Sequence, residues 1–191
     1  MMNHCGTQTI ETEHLILRRF QADDAYKVYE NWASDPDVQS GYGEPTYDTQ
    51  DAVNELLATY IRKYDENDFY RWAVIARDTG ECIGQIAFFL VDSRNHFAEI
   101  EYCIAKKYQC NGYATEATKA VIAYGFRKIG LHKVQICVRP ANTASVRVIE
   151  KCGFTYEGTL RDFFFRNGEY EGRRYYSILA NEYESLEDQN G

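Results

Sequence analysis

The sequence predicts an α+β fold: one domain on a mixed, mostly antiparallel sheet with a central parallel strand pair and flanking helices. Three observations predict it. Apolar residues recur at helical spacing between Ala25 and Ile61, and from Arg71 the pattern changes to short apolar runs joined by tight turns. A strand over 97–105, a helix over 113–129 and a strand over 134–138 follow one another, and strands joined through a crossover helix lie parallel. The chain of 191 residues, 45% hydrophobic and 15% aromatic, is long and apolar enough for one substantial core.

The elements follow in order. Leu15-Ile16-Leu17-Arg18-Arg19-Phe20 is short and mainly apolar, a first strand. Asp23 and Asp24 open a helix with Ala25, Val28, Tyr29 and Trp32 on one face, ending near Asp35-Pro36. Residues 40–45 carry loop chemistry, and Asp48 or Thr49 starts a second helix that buries Ala52, Val53, Leu56, Leu57, Tyr60 and Ile61. Residues 72–76 and 82–90, joined at Asp78-Thr79-Gly80, read as a hairpin. The 113–129 helix buries Ala114, Ala117, Val121, Gly125 and Ile129, and exposes Lys119, Arg127 and Lys128. A fourth helix runs from Asn142 to Cys152 and stops at Gly153. Residues 154–157 and 174–180 are strands around the turn Arg166-Asn167-Gly168-Glu169, and residues 185–191 form a polar, frayed C-terminal tail. No repeat or linker divides the chain.

Composition removes several classes. No apolar run reaches about eighteen residues, and the segment from Met1 to Thr9 has no signal core. Six cysteines without a Cys-x-x-Cys pair read as reduced thiols of a cytoplasmic protein, and the four isolated histidines lack metal-ligand spacing, so no metal is expected. A formal charge of −8 argues against nucleic acid and suits a cationic partner.

The chemistry concentrates at Gln109-Cys110-Asn111-Gly112-Tyr113-Ala114, between the 97–105 strand and the helix that follows. Such a turn aims backbone N–H groups at one point, where the helix dipole adds positive potential, and an anion such as a phosphate binds there. Gly112 has a reason to be glycine, since only a residue without a Cβ lets the chain curl while a ligand touches the backbone. No Gly-x-x-x-x-Gly-Lys-Ser/Thr and no Gly-x-Gly-x-x-Gly accompanies the turn, so a nucleotide fold is disfavoured.

A second block lies some thirty residues on, Asn142-Thr143-Ala144-Ser145 running into Glu150-Lys151-Cys152-Gly153-Phe154. The two blocks together resemble the GNAT superfamily of acyl-CoA-dependent N-acyltransferases, nearest its ribosomal-protein N-terminal and polyamine acetyltransferase branches. Leu15-Ile16-Leu17-Arg18, Ala98-Glu99-Ile100 and Tyr176-Ser177-Ile178-Leu179 share the likeness, which covers residues 10–184. The resemblance implies acetyl-CoA as donor, with its pyrophosphate on Gln109, Cys110, Asn111, Gly112, Tyr113, Ala114 and Thr115. It also implies pantetheine between two splayed parallel strands, against Ile100, Tyr102, Cys103, Ile104 and Asn142. An N–H near Cys103 would polarise the thioester carbonyl, and one such oxyanion donor is worth about 3 kcal/mol. Ser145 would support the leaving thiolate, because the tyrosine many members place on this helix falls at Ile149, which has no proton to give; Tyr156 is an outside candidate for the acid. Asn142 and Ser145 also have a plain reading as N-cap and third residue of the helix.

Glu99 and Glu101 alternate with apolar residues, so their carboxylates face one side of the strand, roughly 7 Å apart. Two like charges at that distance raise one pKa toward that of a useful base. The resemblance offers Glu99 as the base, directly or through water; the family commonly has a small or neutral residue at the second position, so Glu101 departs from its pattern and would select cationic acceptors. An α-amine of pKa ~8 is about a tenth neutral at pH 7, whereas a lysine-like amine at ~10.4 is neutral in well under one part in a thousand. The expected activity is direct acetyl transfer to a primary amine: a protein N-terminus first, then a polyamine, aminoglycoside or other small amine. The rival is a non-catalytic acyl-CoA-binding module. Phe163, Phe164, Phe165, Tyr170, Tyr175 and Tyr176 line the acceptor cleft or fill the core, and either a monomer or a homodimer fits the exposed strand edges.

Overall fold

Chain segments that pack on one another divide this computed structural model, which describes residues 2–166 and 168–190, into two units. The N-terminal unit holds His4–Phe89 and Glu101–Val121; the C-terminal unit holds Leu90–Ile100, the chain from Ile122 onward, and Asn3.

In the N-terminal unit the sheet order is β1 (Ile10–Glu11), β2 (Leu15–Arg18), β3 (Tyr70–Ala76), β4 (Cys82–Asp92, through Phe89), each paired antiparallel with the next. Leu15 pairs with Ala76 and Trp72 with Ile86. Every residue of β3 is buried, as expected of a central strand with both faces covered. The second half of β5 (Phe97–Ile104) belongs here, tied to β4 by the Ala105 N–H to Ile83 carbonyl bond. A Cβ on Gly84 would lie 2.3 Å from the Cys103 carbonyl oxygen, so only glycine allows these backbones to approach so closely.

A short helical stretch covers one face of this sheet: a 3₁₀ turn at Ala22–Asp24, α1 (Ala25–Val28) and a π-helical turn at Tyr29–Ala33. With α3 (Gln50–Lys63) it buries Phe20, Trp32, Val53, Leu57 and Tyr64. The Tyr64 hydroxyl accepts from the Phe20 N–H and donates to the Arg71 carbonyl, both at 2.9 Å, so the one polar atom of that ring is satisfied. The start of α3 falls at Thr49, whose hydroxyl accepts from the Ala52 N–H.

One segment read as loop is helix. Residues 40–42 belong to α2 (Pro36–Tyr42), because Asp35-Pro36 starts a helix as well as ending one: the Asp35 carboxylate accepts from the N–H groups of Asp37 and Val38, and Pro36 stands at the first helical position.

The C-terminal unit has the order β5, β6 (Lys133–Val138), β8 (Glu169–Leu179), β7 (Thr155–Arg166). β5 and β6 are the parallel pair, from Phe97 opposite Lys133 to Ile100 opposite Ile136. α4 (Tyr113–Tyr124), which begins in the other unit, continues as a π-helical turn through Ile129 before β6, and α5 (Thr143–Lys151) connects β6 to β7. Of the residues expected on the buried face of α4, Ala117, Val121, Gly125 and Ile129 are buried and Ala114 is half-buried; Lys119, Arg127 and Lys128 are exposed.

Two expectations need correction here. β7 and β8 make a hairpin far longer than residues 154–157 and 174–180, because Phe165 still pairs with Tyr170 near its tip; Asn167 of its turn lies outside the described residues. The Phe165–Tyr170 ring pair, 5.0 Å between centroids, supports the ladder past the region the hydrophobic pattern marked. The tail is not frayed either: α6 (Ala180–Asn190) occupies it, its start fixed by the Glu182 carboxylate accepting from the Leu179 N–H. Met1 and Gly191 lie outside the described residues.

Candidate active site

The anion turn is assembled by β5 ending at Ile104 and by one 3₁₀ turn, Lys106–Tyr108. The Gln109 side chain donates back to the Ile104 carbonyl at 2.9 Å, and the Asn111 amide donates to the carbonyls of Tyr108 and Gln109 at 3.3 Å. Those bonds hold the loop, in which the Gln109 N–H also donates to the Lys106 carbonyl at 3.3 Å. Cys110 and Gly112 both take left-handed conformations, φ +64° and +85°, on either side of Asn111. The Gly112 carbonyl accepts from the Glu116 N–H at 3.0 Å, which makes Gly112 the cap of α4. Gly112 has no side chain to accept from the first turn of α4, which suits an external acceptor there. A Cβ at Gly112 would meet nothing within 4 Å, so the space over the turn is open to a ligand. The turn fits a pyrophosphate.

On the strand leading to it, Tyr102 is half-buried and Cys103 and Ile104 are buried. Burial pushes the Cys103 thiol up to about 12, which makes it no nucleophile. Glu101 pairs with the Arg71 guanidinium, and Arg71 also donates to Gln85 Oε1 at 2.8 Å and lies over the Tyr60 ring at 4.6 Å. Burial pushes the Tyr60 hydroxyl up to about 12 against the pull of Arg71.

In the C-terminal unit Glu99 is buried, 3% exposed, and accepts at 2.7 Å from Arg173 Nη2 and at 2.7 Å from Gln135 Nε2. Arg173 in turn lies against the rings of Phe163, Phe164 and Tyr175, at 4.7, 5.6 and 4.9 Å. Ile100 is buried beside it in sequence. Asn142 caps α5, its side-chain oxygen accepting from the Ser145 N–H at 3.1 Å, the structural role expected of that pair. Ile149 is fully buried, and the exposed Tyr156 shares its hydroxyl with Thr159. Of the aromatic residues expected to line a cleft or fill the core, Tyr176 is buried, whereas Phe163, Phe165 and Tyr170 are exposed.

The sequence reading of Glu99 and Glu101 as two mutually repelling charges lacks their counterions. Each carboxylate has its own guanidinium, from a strand 30 residues away for Glu101 and 74 away for Glu99. Arg71, Gln85, Gln135 and Arg173 were missed. The two glutamines had a local signal, as lone amides inside apolar runs; the arginines had none, because the pairing is a matter of tertiary register.

The turn that leads from β5 into α4 is open at Gly112, as binding of a phosphate-bearing acyl carrier would require. The family comparison makes this specific: the chain belongs to the GNAT acetyltransferases, the model described as "Acetyltransferase (GNAT) domain" matching residues 14–155. It is an acetyl-CoA-dependent N-acetyltransferase with the mixed α+β sheet of that fold. The chain is similar to the uncharacterized N-acetyltransferase YoaA of Bacillus subtilis, 34% identical over 89% of this chain and 96% of that one. YdaF of the same organism, provisionally named a ribosomal N-acetyltransferase, is 38% identical over 55% of this chain and 57% of its own length. Among solved structures, the spermidine N-acetyltransferase of Vibrio cholerae in complex with CoA and spermine superposes with a TM-score of 0.78 at 27% identity, over 90% of this chain and 99% of that one. No helix among the described residues is long and apolar enough to cross a membrane.

Proposed function

We propose that the acceptor is a protein N-terminal α-amine and that the acyltransferase domain spans residues 10–184. The observation that carries this is the pairing of Glu99 with Arg173 and of Glu101 with Arg71. With a guanidinium on each carboxylate, and the Gln135 amide on the second oxygen of Glu99, both are already engaged as hydrogen-bond acceptors. A site whose carboxylates are already engaged suits an amine that is already about a tenth neutral at pH 7, which an α-amine is and a lysine-like amine is not. The name of YdaF points the same way.

In this reading the N–H groups of residues 109–115 hold the donor's pyrophosphate, and backbone groups of residues 100–104 and the Asn142 side chain hold its pantetheine arm. Glu99, through an ordered water, accepts the proton released as the amine attacks the thioester carbonyl. Ser145 donates a hydrogen bond to the departing thiolate, and Glu101 contributes negative potential toward a cationic acceptor. No acyl-enzyme forms. A cytoplasmic setting suits the six free cysteines, and both monomer and homodimer remain compatible with it. A small-amine acceptor is the second reading, favoured by the likeness to a spermidine acetyltransferase over nine-tenths of the chain.

Loss of the acetyl-CoA thioester absorbance, followed with N-terminal peptides, polyamines and aminoglycosides as acceptors, tests the proposal. Turnover on unblocked peptides that disappears when the N-terminus is formylated supports it. Turnover confined to small amines replaces it with the second reading.

A further inference from the structure

The anion turn is held from outside as well as from within. Its Cys110 takes a left-handed backbone, φ +64°, which a residue with a Cβ keeps only where its surroundings impose it. The bonds inside the loop reach near neighbours: Asn111 Nδ2 donates to the Tyr108 carbonyl at 3.3 Å, and Gln109 Nε2 to the Ile104 carbonyl at 2.9 Å. Whatever fixes Tyr108 therefore bears on how firmly Asn111, and Cys110 beside it, are held.

Tyr108 is fixed at both ends of its side chain. Its ring packs against the buried cluster that includes Trp32, Val53 and Leu57. Its hydroxyl donates to Glu81 Oε2 at 2.6 Å, a short bond of the charge-assisted kind. The same oxygen accepts from Lys107 Nζ at 3.1 Å, so one carboxylate grips two residues of the 3₁₀ turn that leads into 109–112. Its other oxygen meets Lys27 Nζ of α1 at 3.2 Å. The base of this grip is the β3–β4 turn, where the Ala76 N–H donates to the Glu81 carbonyl at 3.0 Å and the Glu81 N–H to Thr79 Oγ1 at 3.3 Å. The bonds from Tyr108, Lys107 and Lys27 hold the Glu81 pKa down to about 2, so the carboxylate stays charged through the neutral range.

Charge alone predicts that an acid near this turn is a disadvantage. A carboxylate close to the site of a polyanion repels it, so removing the carboxylate should tighten binding. A carboxylate that keeps the turn in shape predicts the opposite sign. We infer that Glu81 is a positioning residue for acetyl-CoA, acting through Tyr108 and Asn111 to keep residues 109–112 in their binding shape before the donor arrives. A turn already in shape spares the donor the cost of ordering it, so the contribution falls on donor affinity and not on the chemical step. This rests on the reading of residues 109–115 as the pyrophosphate site.

Calorimetric titration of CoA into the full-length protein tests the inference without an acceptor. Glu81→Met should raise the Kd for CoA about fivefold, the worth of one hydrogen bond. Glu81→Gln is equally neutral but keeps an acceptor for the Tyr108 hydroxyl, and should recover most of the lost affinity. Tyr108→Phe keeps the ring in the core and loses only the hydroxyl. It should match Glu81→Met, and the double variant should be no weaker than either single one. Lys27→Met removes a partner of Glu81 that lies outside the turn, and should leave the Kd unchanged. An unchanged or lower Kd in Glu81→Met overturns the inference, as do losses that add in the double variant. Gly112→Val keeps the two claims apart. If it binds CoA as the natural protein does, the pyrophosphate reading falls and the inference with it. If it weakens CoA while Glu81→Met and Tyr108→Phe do not, the inference alone falls.

Discussion

Glu99 and Glu101 are two residues apart on one strand, and the two units treat them differently. Glu99 is sealed in by Arg173 and Gln135, and its arginine is roofed by three aromatic rings. Glu101 also meets an arginine, but that arginine is shared with Gln85 and Tyr60, and the Glu101 side chain keeps 20% of its exposure against 5% for Glu99. The contrast teaches that a fixed alternation of carboxylates yields two different chemistries once partners arrive from different strands. One sits in an enclosed ion pair; the other sits in a wetter one.

Removing the arginines breaks this comparison most directly. Arg173→Met leaves the buried Glu99 without its counterion, and should cost about 3 kcal/mol in urea unfolding. Arg71→Met leaves a wetter carboxylate and should cost about 1.5 kcal/mol, between the exposed and buried cases. Equal losses would mean that the two environments are energetically alike.

The helix starts carry the same contrast. α5 fills its own N-terminus with the Asn142 side chain, while α4 is capped by Gly112, which has no side chain to offer. Gly112→Val adds bulk over the turn and forces a branched residue to φ +85°, so the KM for acetyl-CoA should rise at least about tenfold. Unchanged cofactor affinity in a folded variant would remove the turn from the donor site. Asn142→Ala should cost about 1 kcal/mol of stability through the lost cap. If KM for acetyl-CoA also rises, Asn142 has the second role assigned to it; if stability alone falls, it is a cap only.

The smallest effect is in acid. Glu81 is held down to about 2 by hydrogen bonds from Tyr108, Lys107 and Lys27. A carboxylate with a depressed folded pKa contributes stability that is full above its ordinary value near 4.5 and lost as pH falls toward 2. Melting temperature should therefore drop between pH 4.5 and pH 2, and Glu81→Gln should shallow that drop slightly, because solvent screens these exposed pairs. An identical pH profile in the variant would show that the cluster contributes nothing.

Much of this protein was determined by local sequence. The anion turn was legible because its requirements are local: Gln109 reaches back to Ile104 and Gly112 supplies a left-handed cap, all within nine residues. Thr49 and Asn142 were legible as caps for the same reason, each bonding an N–H three residues on. The parallel pair followed from connectivity, since a helix between two strands leaves little other choice. Where local signals were ambiguous the reading failed, as at Asp35-Pro36, which both ends and begins helices. Only tertiary structure decided which guanidinium neutralises which carboxylate and how far the β7–β8 hairpin runs. Those outcomes depend on strand register and on contacts 30 to 74 residues apart in the chain, where a side chain's partner is chosen by geometry and leaves no pattern in its own neighbourhood.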